Sequence, residues 1–281
     1  MNPETPKTPE LNLPQAFLLL ATNDQNGKPE VPVFALRTTL AGAILAELEL
    51  TGAIGLQGKN VRATAAAPPT EFQHELGLIR GKSRPHTPKR WVAMLEGRAE
   101  VQRVYEGMAS LGIVEPVGEK HLGLFKSTRY PEKDHGPEAA LLKKIEAALS
   151  GAPADAGGAA STAAHDAGTP GSASAPTAAA PEAAAAPEAA APAAGNPEAG
   201  APDAGTPAAK APEAGKRVAA APYPRTTALI ALLQAAGLFG KLFPAADRSY
   251  ADELAKDYWP ARAVEDELRM IRLAQEEAAT L

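Results

Sequence analysis

A run of apolar residues at 36–54 constrains this chain more than any other segment. Leu36, Leu40, Ile44 and Leu48 recur every four residues, and Ala41, Leu45 and Ala46 widen that stripe almost around the cylinder. Gly52 stands where a left-handed cap residue belongs, so the segment reads as one helix with its own stop. A helix apolar on so much of its surface must lie inside a core, with other elements packed around it. Residues 54–63 then read as two short strands about a Gly58-Lys59-Asn60 turn, and the buried helix feeds a hairpin.

Helical signals dominate the rest. Thr70 and Gln73 have the spacing of a capping box, which predicts a helix running to about Arg80. Thr87-Pro88 is an N-cap followed by proline at the first helical position, opening a helix through Trp91, Met94 and Leu95, where helical spacing makes Trp91 a core residue. Val101, Val104, Met108 and Leu111 share a face of the next helix, which stops at Gly112. Residues 113–117 and 121–125 are expected to form a second hairpin across Gly118-Glu119-Lys120. A helix from Pro137 to Ala148, an apolar helix at 226–237, a short piece to Phe243, a helix capped by Ser249 and a charged helix from Pro260 complete the prediction.

Between the last two groups lies a tract, 150–221, of Ala, Pro and Gly with scattered Glu. Proline every few residues blocks helix, and no large apolar side chain is present to offset the entropy of ordering, so the tract is expected to be a disordered insertion. The remaining residues, 11–149 and 222–281, are expected to form two parts of one domain. The fold class is therefore mainly α: a single α-rich domain with central buried helices, surrounding amphipathic helices and two small β-hairpins.

Catalytic and metal constellations are hard to find. Gly77, Gly81, Lys82 and Ser83 imitate a phosphate-binding loop, but three residues separate the glycines where four are required, and a helix precedes them instead of a strand. His74, His86, His121, His135 and His165 are scattered, none four residues from another, and read as surface histidines; no metal site and no cofactor are expected. Glu47 and Glu49, two apart on the buried helix, point to different faces, so one should be solvated and the other paired with an arginine. Cysteine is absent, which excludes thiolate sites. The first residues lack a basic region followed by an apolar one, so no secretory signal is expected, and the longest apolar stretch, 227–243, is too interrupted to span a bilayer. A cytoplasmic chain, at most peripheral at the cytoplasmic face of a membrane, is the expectation.

Charge is the feature that stands out. Arg80, Lys82, Arg84, Lys89, Arg90, Arg98 and Arg103 face only Glu96 and Glu100 within 80–103, in a chain whose formal net charge is -5. Such a local excess suits an anionic partner, through charge-assisted hydrogen bonds to phosphate or attraction to an anionic bilayer; a solvated face with incidental cations is the plain alternative.

The ordered set of motifs at 13–20, 36–54, 87–97, 122–131 and 225–236 resembles the Golgi phosphoprotein family, readers of phosphatidylinositol 4-phosphate, and in particular its bacterial branch. The resemblance implies a non-enzymatic, peripheral reader of anionic phospholipid or phosphoinositide headgroups. In the family a tryptophan, an arginine within the buried helix and two arginines on a later helix hold the headgroup. Those positions fall here on Pro32, Ala41, Arg98 and Val101, so Arg98 alone is retained. Arg103, and Arg37 one turn before Ala41, are candidates to restore the charge, and Arg90 and Lys89 complete the expected headgroup-binding set. The resemblance also implies oligomerisation through the hairpin at 114–130, making a second copy of the chain a candidate partner. The acidic, proline-rich start differs from the family's basic tail, so coat-protein recruitment is not carried over. Two rivals remain: a winged-helix-like nucleic-acid binder, disfavoured by the net charge, and a protein-interaction scaffold.

Overall fold

A computed structural model describes residues 10–65, 67–121, 125–150 and 224–280. The chain starts with α1 (Leu13–Leu20), a short helix secured by a reciprocal cap. The Gln15 amide N–H donates to Asn12 Oδ1 at 2.9 Å, and the Asn12 N–H donates to Gln15 Oε1 at 3.1 Å. Next comes α2 (Val33–Leu50), buried without a break from Thr38 to Leu48, as an all-round apolar helix must be. It ends in a Schellman motif: Gly52 has φ +75°, its N–H donates to the Glu49 carbonyl at 2.9 Å, and the Ala53 N–H donates to the Leu48 carbonyl at 2.8 Å. The expected hairpin follows as β1 (Ile54–Gln57) and β2 (Asn60–Ala63), antiparallel, with Gly58 at φ +63° in the turn.

Three helices come next: α3 (Gln73–Gly81), α4 (Pro88–Leu95) and α5 (Arg98–Ser110). The expected capping box at Thr70 does not form. The Thr70 hydroxyl accepts the Phe72 N–H in a local turn, and α3 starts later, after Phe72, with no side-chain cap. For α4 the Thr87 cap holds, its hydroxyl accepting the Arg90 N–H, and Trp91 is fully buried as predicted. His86 departs from the surface reading, since its ring packs edge-on against Trp91 with centroids 5.7 Å apart.

The second hairpin is shifted from its expected register. Its strands are β3 (Val117–His121) and β4 (Phe125–Arg129), so the predicted turn at 118–120 is strand and pairs with 126–128. Ile113 and Val114, expected in the first strand, are drawn into the core at 0% and 3% exposure. The Ile113 N–H closes onto the Met108 carbonyl at the end of α5, and its own carbonyl accepts the Lys133 N–H. Apolar burial outcompetes the pairing that alternation suggested.

The remaining helices are α6 (Gly136–Leu149), α7 (Pro224–Ala235), α8 (Phe239–Leu242), α9 (Arg248–Ala255) and α10 (Trp259–Ala279). The cap of α9 is Asp247, not Ser249: its carboxylate accepts the Ser249 and Tyr250 N–H groups. Among the described residues the fold is mainly α, ten helices with two two-stranded antiparallel hairpins. No described helix is long and apolar enough to cross a membrane. The expected disordered tract, with His165, lies outside the described residues over 151–221.

The core is built around α2, which packs against α1, α4, α5, α7 and α10. A partly buried ion pair fastens the two sequence-distant parts. Arg225, at the start of α7, donates to both carboxylate oxygens of Glu47, at 2.7 and 3.0 Å, and Glu47 also accepts the Leu13 N–H at 2.8 Å. One carboxylate thus joins α1, α2 and α7. Glu49 is not solvated as expected: it is half-buried, bonded by the Trp259 side chain, and burial raises its pKa above the ordinary value of 4.5.

Candidate functional site

The basic run occupies the end of α3, the loop after it, α4 and the start of α5. Arg80, Lys82, Arg84, Arg90 and Arg98 are exposed and Lys89 is half-buried. Of the seven cations, Arg103 is the one that pairs with a carboxylate among the described residues. Its guanidinium meets Glu75, a side chain with no solvent exposure on α3. Arg103 therefore neutralises a buried acid and braces α5 against α3, whereas the other six present their charge to solvent.

The elements explain why those six have no carboxylate partner among the described residues. α3 buries Glu75, Leu76 and Ile79, so Arg80 and the 39%-exposed Leu78 face outward at its end. The loop after α3 is tied down at its far end, where the Val61 N–H of β2 donates to the His86 carbonyl at 2.9 Å. α4 buries Trp91, Val92 and Leu95 and leaves Arg90 exposed.

Arg98 opens α5 beside the start of α2. The Thr38 hydroxyl donates to Glu96 Oε2 at 2.7 Å, holding the first turns of α2 against the α4–α5 junction. Arg37, adjacent to Thr38, is half-buried and makes no ion pair among the described residues. α2 enters the core as it proceeds, so Ala41, one turn on, is fully buried and Val101 packs against the core. Pro32, the N-cap of α2, and the following Val33 are exposed at the helix start. The Glu100 carboxylate folds back against Gly97, where an added Cβ would meet Glu100 Oε2 at 1.7 Å, so an acid already covers the α5 N-terminus.

The family model for Golgi phosphoprotein 3 (GPP34) matches residues 13–271, nearly the whole chain. The chain belongs to the Golgi phosphoprotein 3 family. Comparison with curated proteins finds none that matches. Against this family assignment, sequence reasoning found the cations but missed the Glu75 partner of Arg103. No periodic signal joins a buried acid on α3 to an arginine 28 residues later.

Proposed function

We propose that this member of the Golgi phosphoprotein 3 family binds anionic lipid headgroups at a membrane surface, without catalysis, through Arg98, Arg90, Lys89 and Arg37. The observation that carries the reading is the set of cations over 80–98 that make no ion pair among the described residues, in a chain of net charge -5. Each basic residue close to an anionic bilayer adds on the order of 1 kcal/mol, which makes a cluster selective for such a surface. The exposed Leu78 and Val33, near Arg80 and Arg37 in sequence, add apolar contact of the kind an interfacial protein uses. Arg103 takes no part, because releasing it would leave Glu75 buried and unpaired. Phosphatidylinositol 4-phosphate is the proposed ligand, with Arg37 standing in for the helix arginine replaced by Ala41.

Flotation with vesicles of phosphatidylcholine alone, with phosphatidylserine, or with phosphatidylinositol 4-phosphate tests this. Arg90→Glu/Arg98→Glu should lower binding to both anionic vesicles severalfold, more at low salt, with an unchanged helical circular-dichroism spectrum. Arg37→Ala should reduce binding to the phosphoinositide vesicles more than to the phosphatidylserine vesicles. Unaltered flotation of the double variant at every salt concentration would refute the reading.

A further inference from the structure

At the junction between the α1–α2 loop and the β4–α6 connection, four side chains from two distant parts of the chain converge. Asp24 comes from the first loop, Glu132 and His135 from the second, and Glu138 from the first turn of α6. One ligand-type atom from each lies within 4.8 Å of all the others. Metal–oxygen and metal–nitrogen bonds of about 2.0–2.2 Å place neighbouring ligand atoms of one ion about 3.0–3.6 Å apart, so the four side chains need to draw in by about 1 Å to close on a common centre.

Backbone bonds hold this arrangement. The Glu132 N–H donates to the Asp24 carbonyl at 2.9 Å, and Glu132 bridges to Val114 on its other side. Gly27, at φ +64°, lets the first loop press against the second: a Cβ there would lie 2.4 Å from the Pro131 nitrogen and 2.5 Å from the Tyr130 nitrogen. Beneath, Tyr130 stacks on Tyr105 at 4.3 Å, and the Tyr105 hydroxyl meets Thr22 at 2.6 Å.

The side chain of Glu132 points to a ligand. It is 2% exposed, and one oxygen meets His135 Nδ1 at 2.5 Å. Its other oxygen, Oε1, is buried and receives no N–H or hydroxyl donor among the described residues; the neighbouring Glu138 carboxyl can bond to Glu132 only by carrying a proton, a place that a metal ion can take instead. Among the described residues no lysine or arginine pairs with Asp24, Glu132 or Glu138. Three carboxylates and one imidazole thus share a small, partly desolvated space in which no lysine or arginine ion pair is found among the described residues.

We infer that Asp24, Glu132, His135 and Glu138 form a binding site for one divalent transition-metal ion. Three oxygen donors and one imidazole nitrogen suit Zn²⁺, Mn²⁺ or Fe²⁺; the absence of cysteine removes the thiolates that softer ions prefer, and the imidazole disfavours Mg²⁺ and Ca²⁺. The ion would give Glu132 Oε1 its partner and cross-link the two loops at the base of the β3–β4 hairpin.

The test uses the full chain, stripped with EDTA and titrated with ZnCl₂ or MnCl₂ by calorimetry and thermal unfolding. The expected result is saturable binding of one ion per chain, a rise in melting temperature, and binding of Mg²⁺ and Ca²⁺ at least about tenfold weaker. His135→Ala should weaken Zn²⁺ binding by about tenfold or more, since loss of even an outer-sphere partner costs that much. The His135 side chain is 69% exposed, so this variant keeps the fold and its circular-dichroism spectrum. Glu132→Gln should abolish saturable binding, whereas His74→Ala, on the exposed side of α3, should leave it unchanged. Absence of saturable Zn²⁺ and Mn²⁺ binding by the wild-type chain, or equal affinity of the His135→Ala and wild-type proteins, would overturn the inference.

Discussion

Replacing Gly42 with alanine sets two known effects against each other in the middle of α2. In a helix interior, alanine is favoured over glycine by about 0.8–1.0 kcal/mol, so propensity alone predicts a more stable protein. The structure reverses that sign. A Cβ at Gly42 would lie 2.1 Å from Val264 Cγ2, where carbon atoms normally rest about 3.5–4.0 Å apart. Val264 is fully buried and, being β-branched, has no alternative rotamer of low energy on α10. The Pro260 carbonyl and Leu232 Cδ2, each 3.5 Å away, close the other directions. Accommodation requires α2 and α10 to separate by about 1 Å or more, and overpacking of this kind costs about 1–3 kcal/mol. Taking the upper end and subtracting the propensity gain leaves a net loss of about 2 kcal/mol, or roughly 4–8 °C in melting temperature for a domain of this size. Urea denaturation of four proteins, wild type, Gly42→Ala, Val264→Ala and the double variant, measures it. With Val264 shortened the clash disappears, so Gly42→Ala should be neutral or stabilising there, with a coupling energy of about 2–3 kcal/mol. A stabilisation of about 1 kcal/mol in both backgrounds, with no coupling, would refute the packing argument.

Arg103→Met should destabilise the protein by about 2–3 kcal/mol, less than for a fully buried pair because the guanidinium is 43% exposed; a urea midpoint within error of wild type would show that Glu75 does not depend on it. Glu75→Gln in the same chain should recover part of that loss, since the buried group is then neutral. Glu49 has its pKa raised by burial in the folded state, so the unfolded chain gives up its proton first as pH rises. Stability attributable to Glu49 is therefore full below about pH 4.5 and is lost as pH climbs toward the raised folded value. Unfolding free energies at pH 4.5 and 7 should show Glu49→Gln gaining relative to wild type at the higher pH, and a pH-independent difference would contradict the assignment.

Many short-range signals were legible, and those that failed, the Thr70 box and the Ser249 cap, gave way to partners within two residues. α4 begins where its Thr87-Pro88 signal requires, because the Thr87 hydroxyl accepts the Arg90 N–H within one turn. The burial of α2, its stop at Gly52 and the following hairpin were equally local consequences of side-chain type. The basic run over 80–103 was visible as composition, and so was the prospect of an anionic partner.

Where two parts of the chain compete or converge, the sequence alone was silent. Alternation favoured Ile113 and Val114 as strand residues, but the core took both and moved the hairpin four residues onward. Arg103 and Arg98 look alike in sequence; the nearness of Glu75 makes one structural and leaves the other exposed. Arg225 was one cation among many until α7 set it on Glu47, 178 residues away. Glu132, His135 and Glu138 recur every three residues, but Asp24 joins them from more than 100 residues away, where Gly27 admits the 130–131 backbone. Helix propensity, caps and amphipathic period act within a few residues and so are written in the sequence. Ion pairs and ligand clusters depend on which surfaces the core brings together, and that was decided when α2 was enclosed.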